Sequence, residues 1–197
     1  MIVFVGLGNP GDEYNNTKHN AGYWIVDELA KRWVCNFKPG KDSYVYTKKK
    51  TNDAMLMKPT TGMNNSGMAL KHFVGLFNIN LNNLFVCVDD VDLPLGRIRI
   101  KPKGGDGCHR GLESIIYHLG NKNFPRLRIG VASRDYKRPS EKYVLKPFKS
   151  NDQNFSKEMI QVAADAAESL LYSGLDKTMN QYNKIGDGII EMDINTY

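Results

Sequence analysis

The 197-residue chain has no apolar run long enough to span a bilayer and no basic-then-apolar leader before its first apolar segment. A membrane-spanning protein is thereby disfavoured, and a cytosolic location is expected. Cysteine is scarce. Cys35, Cys87 and Cys108 fit neither a metal-binding spacing nor a disulfide framework, and Cys35 and Cys87 read as small core residues. Repeats, low-complexity segments and linkers are also missing, so a single domain is expected over residues 1–185, with 186–197 a loose polar tail. No serine or threonine stands out as a nucleophile paired with a base. Cys108 beside His109 is a weak candidate, because residues adjacent in sequence rarely face each other. Acidic residues are the minority charge, 21 against 27 lysines and arginines, and the net charge of +6 favours a polyanionic partner such as nucleic acid.

What is present alternates between two periodicities. Apolar runs or strict alternation at residues 3–7, 44–48, 55–58, 84–88, 97–101 and 127–131 read as strands. Three- and four-residue steps at 21–33, 63–77, 111–119 and 156–173 read as helices, the last ended by Gly174. This order predicts an α/β fold: a single-domain three-layer sandwich whose central sheet is mostly parallel, mixed toward residues 44–58, and flanked by helices.

The segment Gly6-Leu7-Gly8-Asn9-Pro10-Gly11 spells G-x-G-x-x-G after a strand. A dinucleotide site needs the third glycine to open a helix whose N-terminus holds a pyrophosphate. Here Asp12 and Glu13 follow it, and helical periodicity starts only near Ala21. The glycines are therefore expected to make a tight turn around a site of another kind. Three strands lead into reactive side chains: the first into Asn9 and His19, the 55–58 strand into Met63 and Asn64, and the 84–88 strand into Asp89, Asp90 and Asp92. If these strands are parallel neighbours, an imidazole, carboxamides and a carboxylate meet at one sheet edge. An imidazole oriented by a carboxylate can take a proton from water, and amides can hold a carbonyl oxygen as it gains charge. That set fits water-mediated hydrolysis of an activated acyl group. The three aspartates alone leave open a magnesium cluster of the nuclease type, or simply an acidic turn.

A basic region completes the pattern. Arg97, Arg99 and Lys101 share one strand face and Arg126 and Arg128 another. Lys103, His109 and Arg110 surround a Gly-rich stretch that leads into a helix, where backbone N–H groups can meet an anion. Nucleic acid is the favoured reading over a solvated basic face.

At these residues the chain resembles bacterial peptidyl-tRNA hydrolases. The matching motifs are Gly6 to Gly11, Tyr14, Thr17, His19-Asn20, Gly22, Lys58-Pro59-Thr60-Thr61, Met63-Asn64, Ser66-Gly67, Asp89, Asp92-Leu93-Pro94, Gly96, Gly104-Gly105, Gly107, His109, Gly111-Leu112 and Arg126 to Gly130. The resemblance implies hydrolysis of the ester joining a peptide to the terminal ribose of tRNA. It implies His19 as general base, Asp89 as its orienter and Asn9 as a positioner at the scissile bond. Tyr14, Met63 and Asn64 are implied to touch the substrate, with Lys101 and Arg128 holding tRNA phosphates. Neither metal nor cofactor is implied, tRNA and peptidyl-tRNA are the partners, no obligate protein partner is expected, and family members are usually monomers. Gly62 and Arg110 depart from the common pattern, which has a larger residue and an asparagine there. Relatives that serve as RNA-binding splicing factors without hydrolysis supply the alternative.

Overall fold

The computed structural model describes residues 1–51 and 53–184; the expected 186–197 tail lies outside them. Among the described residues, seven strands form one sheet: β1 (Ile2–Gly6), β2 (Lys38–Pro39), β3 (Tyr44–Lys48), β4 (Ala54–Pro59), β5 (Leu84–Pro94), β6 (Ile98–Lys101) and β7 (Arg126–Ala132). Their order is β2-β3-β4-β1-β5-β7-β6. The strands β4, β1, β5 and β7 are mutually parallel, with Val5 opposite both Met57 and Val86. β3 runs antiparallel to β4, as the short 44–58 spacing predicts. The opposite edge is mixed as well, β6 being antiparallel to β7, and the sequence reading did not anticipate this.

The helices are α1 (Ala21–Arg32), α2 (Ser66–Phe77), α3 (Arg110–Leu119), α4 (Ser140–Val144) and α5 (Gln153–Tyr182). Two apolar cores show the three layers. Ile25, Val26 and Leu29 of α1 and Ala163, Ala167 and Leu170 of α5 cover one face of the sheet through Phe4, Leu56 and Ile129. Leu70 and Phe73 of α2 and Leu112 and Ile115 of α3 cover the other through Val5, Met57 and Val86. Strands buried on both sides in this way read as continuous apolar runs, which is why β1, β4 and the start of β5 were legible. Among the described residues, no helix is long and apolar enough to cross a membrane.

Several boundaries differ from expectation. β5 runs on to Pro94, so Asp89, Asp90 and Asp92 belong to the strand rather than to a turn after it. Gly174 ends a helical stretch as expected, with φ 77° and ψ 175°, but a second helical stretch follows it to Tyr182. The helix also begins at Gln153, three residues before the expected start. The short α4 escaped sequence reading altogether.

Candidate active site

The glycines of the opening motif act through packing. A Cβ on Gly6 would stand 2.3 Å from the Gly22 carbonyl oxygen, and one on Gly8 would enter the Tyr23 ring. α1 thus lies directly on the end of β1, and the intervening chain has to loop out. Residues 12–14 and 18–20 each form one turn of 3-10 helix, and the second of these carries His19. The motif holds no helix N-terminus where a pyrophosphate would need one.

Because β4, β1 and β5 are parallel neighbours, their carboxyl ends open into one cleft of about 510 Å³. Asn9, Tyr14, His19, Gly62, Met63, Asn64, Asp89, Arg110 and Arg128 all line it. Lys101 does not; it is exposed near the free edge of the sheet, at the end of β6.

His19 Nδ1 lies 2.9 Å from Asp89 Oδ1, with the two side chains 12% and 3% exposed. His109 contributes something the sequence did not reveal. Its Nε2 lies 3.0 Å from the same carboxylate oxygen, and its ring stands 4.9 Å from that of His19. His109 caps α3, its Nδ1 accepting from the Leu112 N–H at 3.3 Å. An Nδ1 that accepts must be unprotonated, so in the neutral ring the proton sits on Nε2 and points at Asp89. With Asp89 accepting from His19 Nδ1–H as well, the His19 Nε2 keeps its lone pair. α3 can bring His109 this close because Gly111 packs on Met63, where a Cβ would come within 2.5 Å of Sδ.

Burial works against charge on His19, but the Asp89 carboxylate and its hydrogen bond prevail, and the imidazole pKa is raised. Burial likewise opposes ionisation of Asp89, and the two histidines outweigh it, holding the carboxyl well below its ordinary range. The three groups lie within 4.8 Å of one another, near enough by distance to share a metal ion. Nevertheless, the donor set suits a proton network better. Metal binding through His109 Nε2 would put the ring proton on Nδ1, against the Leu112 N–H that it now accepts.

Asn9 is fixed on both sides. Its backbone N–H donates to Asn20 Oδ1 at 2.8 Å, and Asn20 Nδ2 donates back to the Asn9 carbonyl at 3.0 Å. Its Oδ1 accepts from the Met63 N–H at 2.8 Å, which turns its Nδ2 into the group left for a ligand. Gly62 has φ −57°, a value open to any residue, and a Cβ there would stand 4.0 Å from Asn9 Oδ1. The glycine is therefore not a backbone requirement; it widens the cleft beside Asn9.

The basic region is less open than its sequence suggests. Arg126 is 1% exposed, with Phe124 against its guanidinium and its pKa lowered by burial to about 10, so it is a buried strut and not part of a solvated face. Arg128 Nε lies 2.8 Å from Asp90 Oδ2. Burial still pushes the Asp90 carboxyl up despite that pair. Arg110 is exposed and lies 3.0 Å from Glu113. The helix start after the Gly-rich stretch is already occupied by the His109 cap. Asp89, Asp90 and Asp92 go to separate partners, namely the two histidines, Arg128 and Arg138, so they do not converge as a magnesium cluster. Cys108 is exposed with φ 62°, and among the described residues no hydrogen bond pairs its thiol with a base.

A carboxylate-oriented imidazole at the carboxyl ends of a parallel sheet, lining one cleft with a fixed amide, defines an α/β enzyme of the hydrolytic class. Comparison with known proteins narrows the class. The family model described as peptidyl-tRNA hydrolase matches residues 3–188, and the chain belongs to that family. The peptidyl-tRNA hydrolase of Thermodesulfovibrio yellowstonii is 44% identical over 189 residues, covering 94% of this chain and 100% of that one. That of Geobacillus thermodenitrificans is 39% identical over 186 residues, covering 93% and 100%. Among solved structures, peptidyl-tRNA hydrolase from Acinetobacter baumannii superposes with a TM-score of 0.86 at 33% identity, covering 94% of this chain and 95% of that one.

Proposed function

We propose that this enzyme hydrolyses the ester between a peptide and the terminal ribose of tRNA, returning free tRNA from prematurely released peptidyl-tRNA. The observation that carries the mechanism is the His19–Asp89 contact at 2.9 Å in a cleft that Asn9 also lines. His19 Nε2 takes a proton from water, and the water oxygen attacks the ester carbonyl. Asp89 holds the ring in the Nδ1–H tautomer and stabilises the imidazolium that forms. Asn9 Nδ2 is the neutral donor available to the carbonyl oxygen as it gains charge. The proton held by His19 then passes to the departing ribose oxygen, and peptide acid and tRNA leave. His109, as a second donor to Asp89, keeps the carboxylate ionised and aimed.

Tyr14, Met63 and Asn64 contact the acyl group and the tRNA 3′ end, with Gly62 giving that end more room. Arg110, Arg128 and Lys101 meet phosphates, Arg128 exchanging part of its pairing with Asp90 for the substrate. The reaction needs no metal, cofactor or second protein chain, and we assign it to a monomer acting in the cytoplasm. A release assay with peptidyl-tRNA tests the proposal: free peptide and intact tRNA should appear, and activity should survive a chelator. Binding of tRNA without release would mark a non-hydrolytic RNA-binding protein instead. Cleavage of the tRNA chain would mark a nuclease.

A further inference from the structure

Next to His19 in the same turn is a buried lysine that the mechanism does not use. Lys18 is 4% exposed. Its Nζ donates to the carbonyl oxygens of Lys146 at 3.2 Å and Pro147 at 2.8 Å. It also lies 4.2 Å from the centre of the Tyr143 ring and 5.1 Å from that of Phe148. Its backbone N–H donates to the same Lys146 carbonyl at 3.2 Å. Every one of these partners belongs to α4 or to the turn after it. That segment matters to substrate, because Ser140, Glu141, Val144 and Leu145 line the cleft together with His19. α4 has only five residues and cannot hold its own shape. It is also tied by the buried Val144 and by Tyr143, whose hydroxyl donates to the Val131 carbonyl of β7 at 2.7 Å.

We propose that Lys18 is a positioning residue whose ammonium group latches the α4 wall of the cleft to the turn that carries His19. Two carbonyls and an aromatic face are what an ammonium with three donors satisfies well and a neutral amine satisfies poorly. Asp152 and Asp135 favour the ammonium form, whereas Lys146 and Lys149 oppose it, and Tyr143 contributes a phenol. Burial dominates and lowers the Lys18 pKa to about 8, so the latch loosens in weak alkali. The loss falls on binding: α4 relaxes, KM rises, and kcat holds because His19 and Asp89 keep their own contacts. This rests on the proposed reaction for its kinetic arm only.

The experiment follows hydrogen-exchange protection of backbone amides 140–146, corrected for intrinsic exchange, alongside KM and kcat for peptidyl-tRNA between about pH 7 and about pH 9.5. Protection should fall and KM rise together, with a midpoint near pH 8, while kcat does not fall. Lys18→Arg, charged throughout, should keep α4 protected and flatten the KM profile. Lys18→Met should raise KM about ten-fold or more at every pH and remove the alkaline dependence. Three results would overturn the proposal: α4 protection in the wild type that ignores pH, a Lys18→Arg protein that follows the wild-type curve, or a loss of kcat at unchanged KM. If Lys18→Met fails to fold, the wild-type and Lys18→Arg curves still decide. If no hydrolysis occurs, the proposed reaction fails, while the exchange data still judge the latch.

Discussion

The corner proposed for catalysis and the basic region beside it are built on opposite principles. In the corner, His19, Asp89 and His109 are nearly buried and satisfy one another, and each orientation follows from a hydrogen bond inside the protein. In the basic region, Lys101 on the edge strand β6 and Arg110 at the start of α3 are exposed, and Arg128 of β7 is paired with the Asp90 carboxylate. Chemistry requires a geometry that is complete before the substrate arrives, whereas phosphate recognition needs charge that remains available. Loss of a residue should therefore cost turnover in the first region and affinity in the second.

The comparison breaks most visibly at His19. His19→Ala should lower kcat by roughly 10²–10⁴-fold with little change in tRNA affinity. A near wild-type rate would remove His19 from the mechanism. Asp89→Asn should cost less, since the base survives without its orienter. It should also shift the pH profile. In the wild type His19 has a raised pKa, so activity should fall as the pH drops through a midpoint above the ordinary value of about 6.5. Removing the carboxylate should move that midpoint to lower pH. The sign for stability is opposite: the His19–Asp89 attraction stabilises the fold below the ordinary histidine pKa and is lost as the pH rises through the raised one. A pH–rate profile and thermal melts across the same range would check both.

His109→Ala should have an intermediate effect. It removes one donor to Asp89 and the cap of α3, the latter worth about 0.5–2 kcal/mol of stability. A lower melting temperature with a reduced kcat is expected. If only stability falls, the His109–Asp89 contact has no catalytic part.

In the basic region the effects should be smaller and sensitive to salt. Lys101→Ala should weaken all tRNAs alike and reduce the slope of log affinity against log salt by ~0.7–0.9. Arg128→Ala should do the same less cleanly, because it also leaves the buried Asp90 without its cation. A salt titration of tRNA binding would show it. The smallest change should come from Arg110→Ala: a raised KM at nearly constant kcat, the pattern of lost uniform binding. A drop in kcat of orders of magnitude would transfer Arg110 to the catalytic corner.

The sequence by itself determined the layered α/β fold, the three parallel strands at the site and the cleft residues Asn9, His19 and Asp89. Continuous apolar runs betray strands buried on both faces, and strand ends are where such sheets form sites. Only the tertiary structure decided the rest. β5 carries Asp89 within its length because β7 continues to pair beyond the apolar run, where the polar residues read as a turn. His109 reaches Asp89 from 20 residues away because α3 packs against Met63. Arg126, so similar to Arg128 in sequence, is sealed in by Phe124 and the loop over it, and is lost to solvent. The five residues of α4 are too few to show a period, and they are held by the buried Val144, the Tyr143 hydroxyl and the bonds of Lys18 to the chain just after them. Periodicity reports which face of an element is buried; which two distant groups meet depends on how the elements pack.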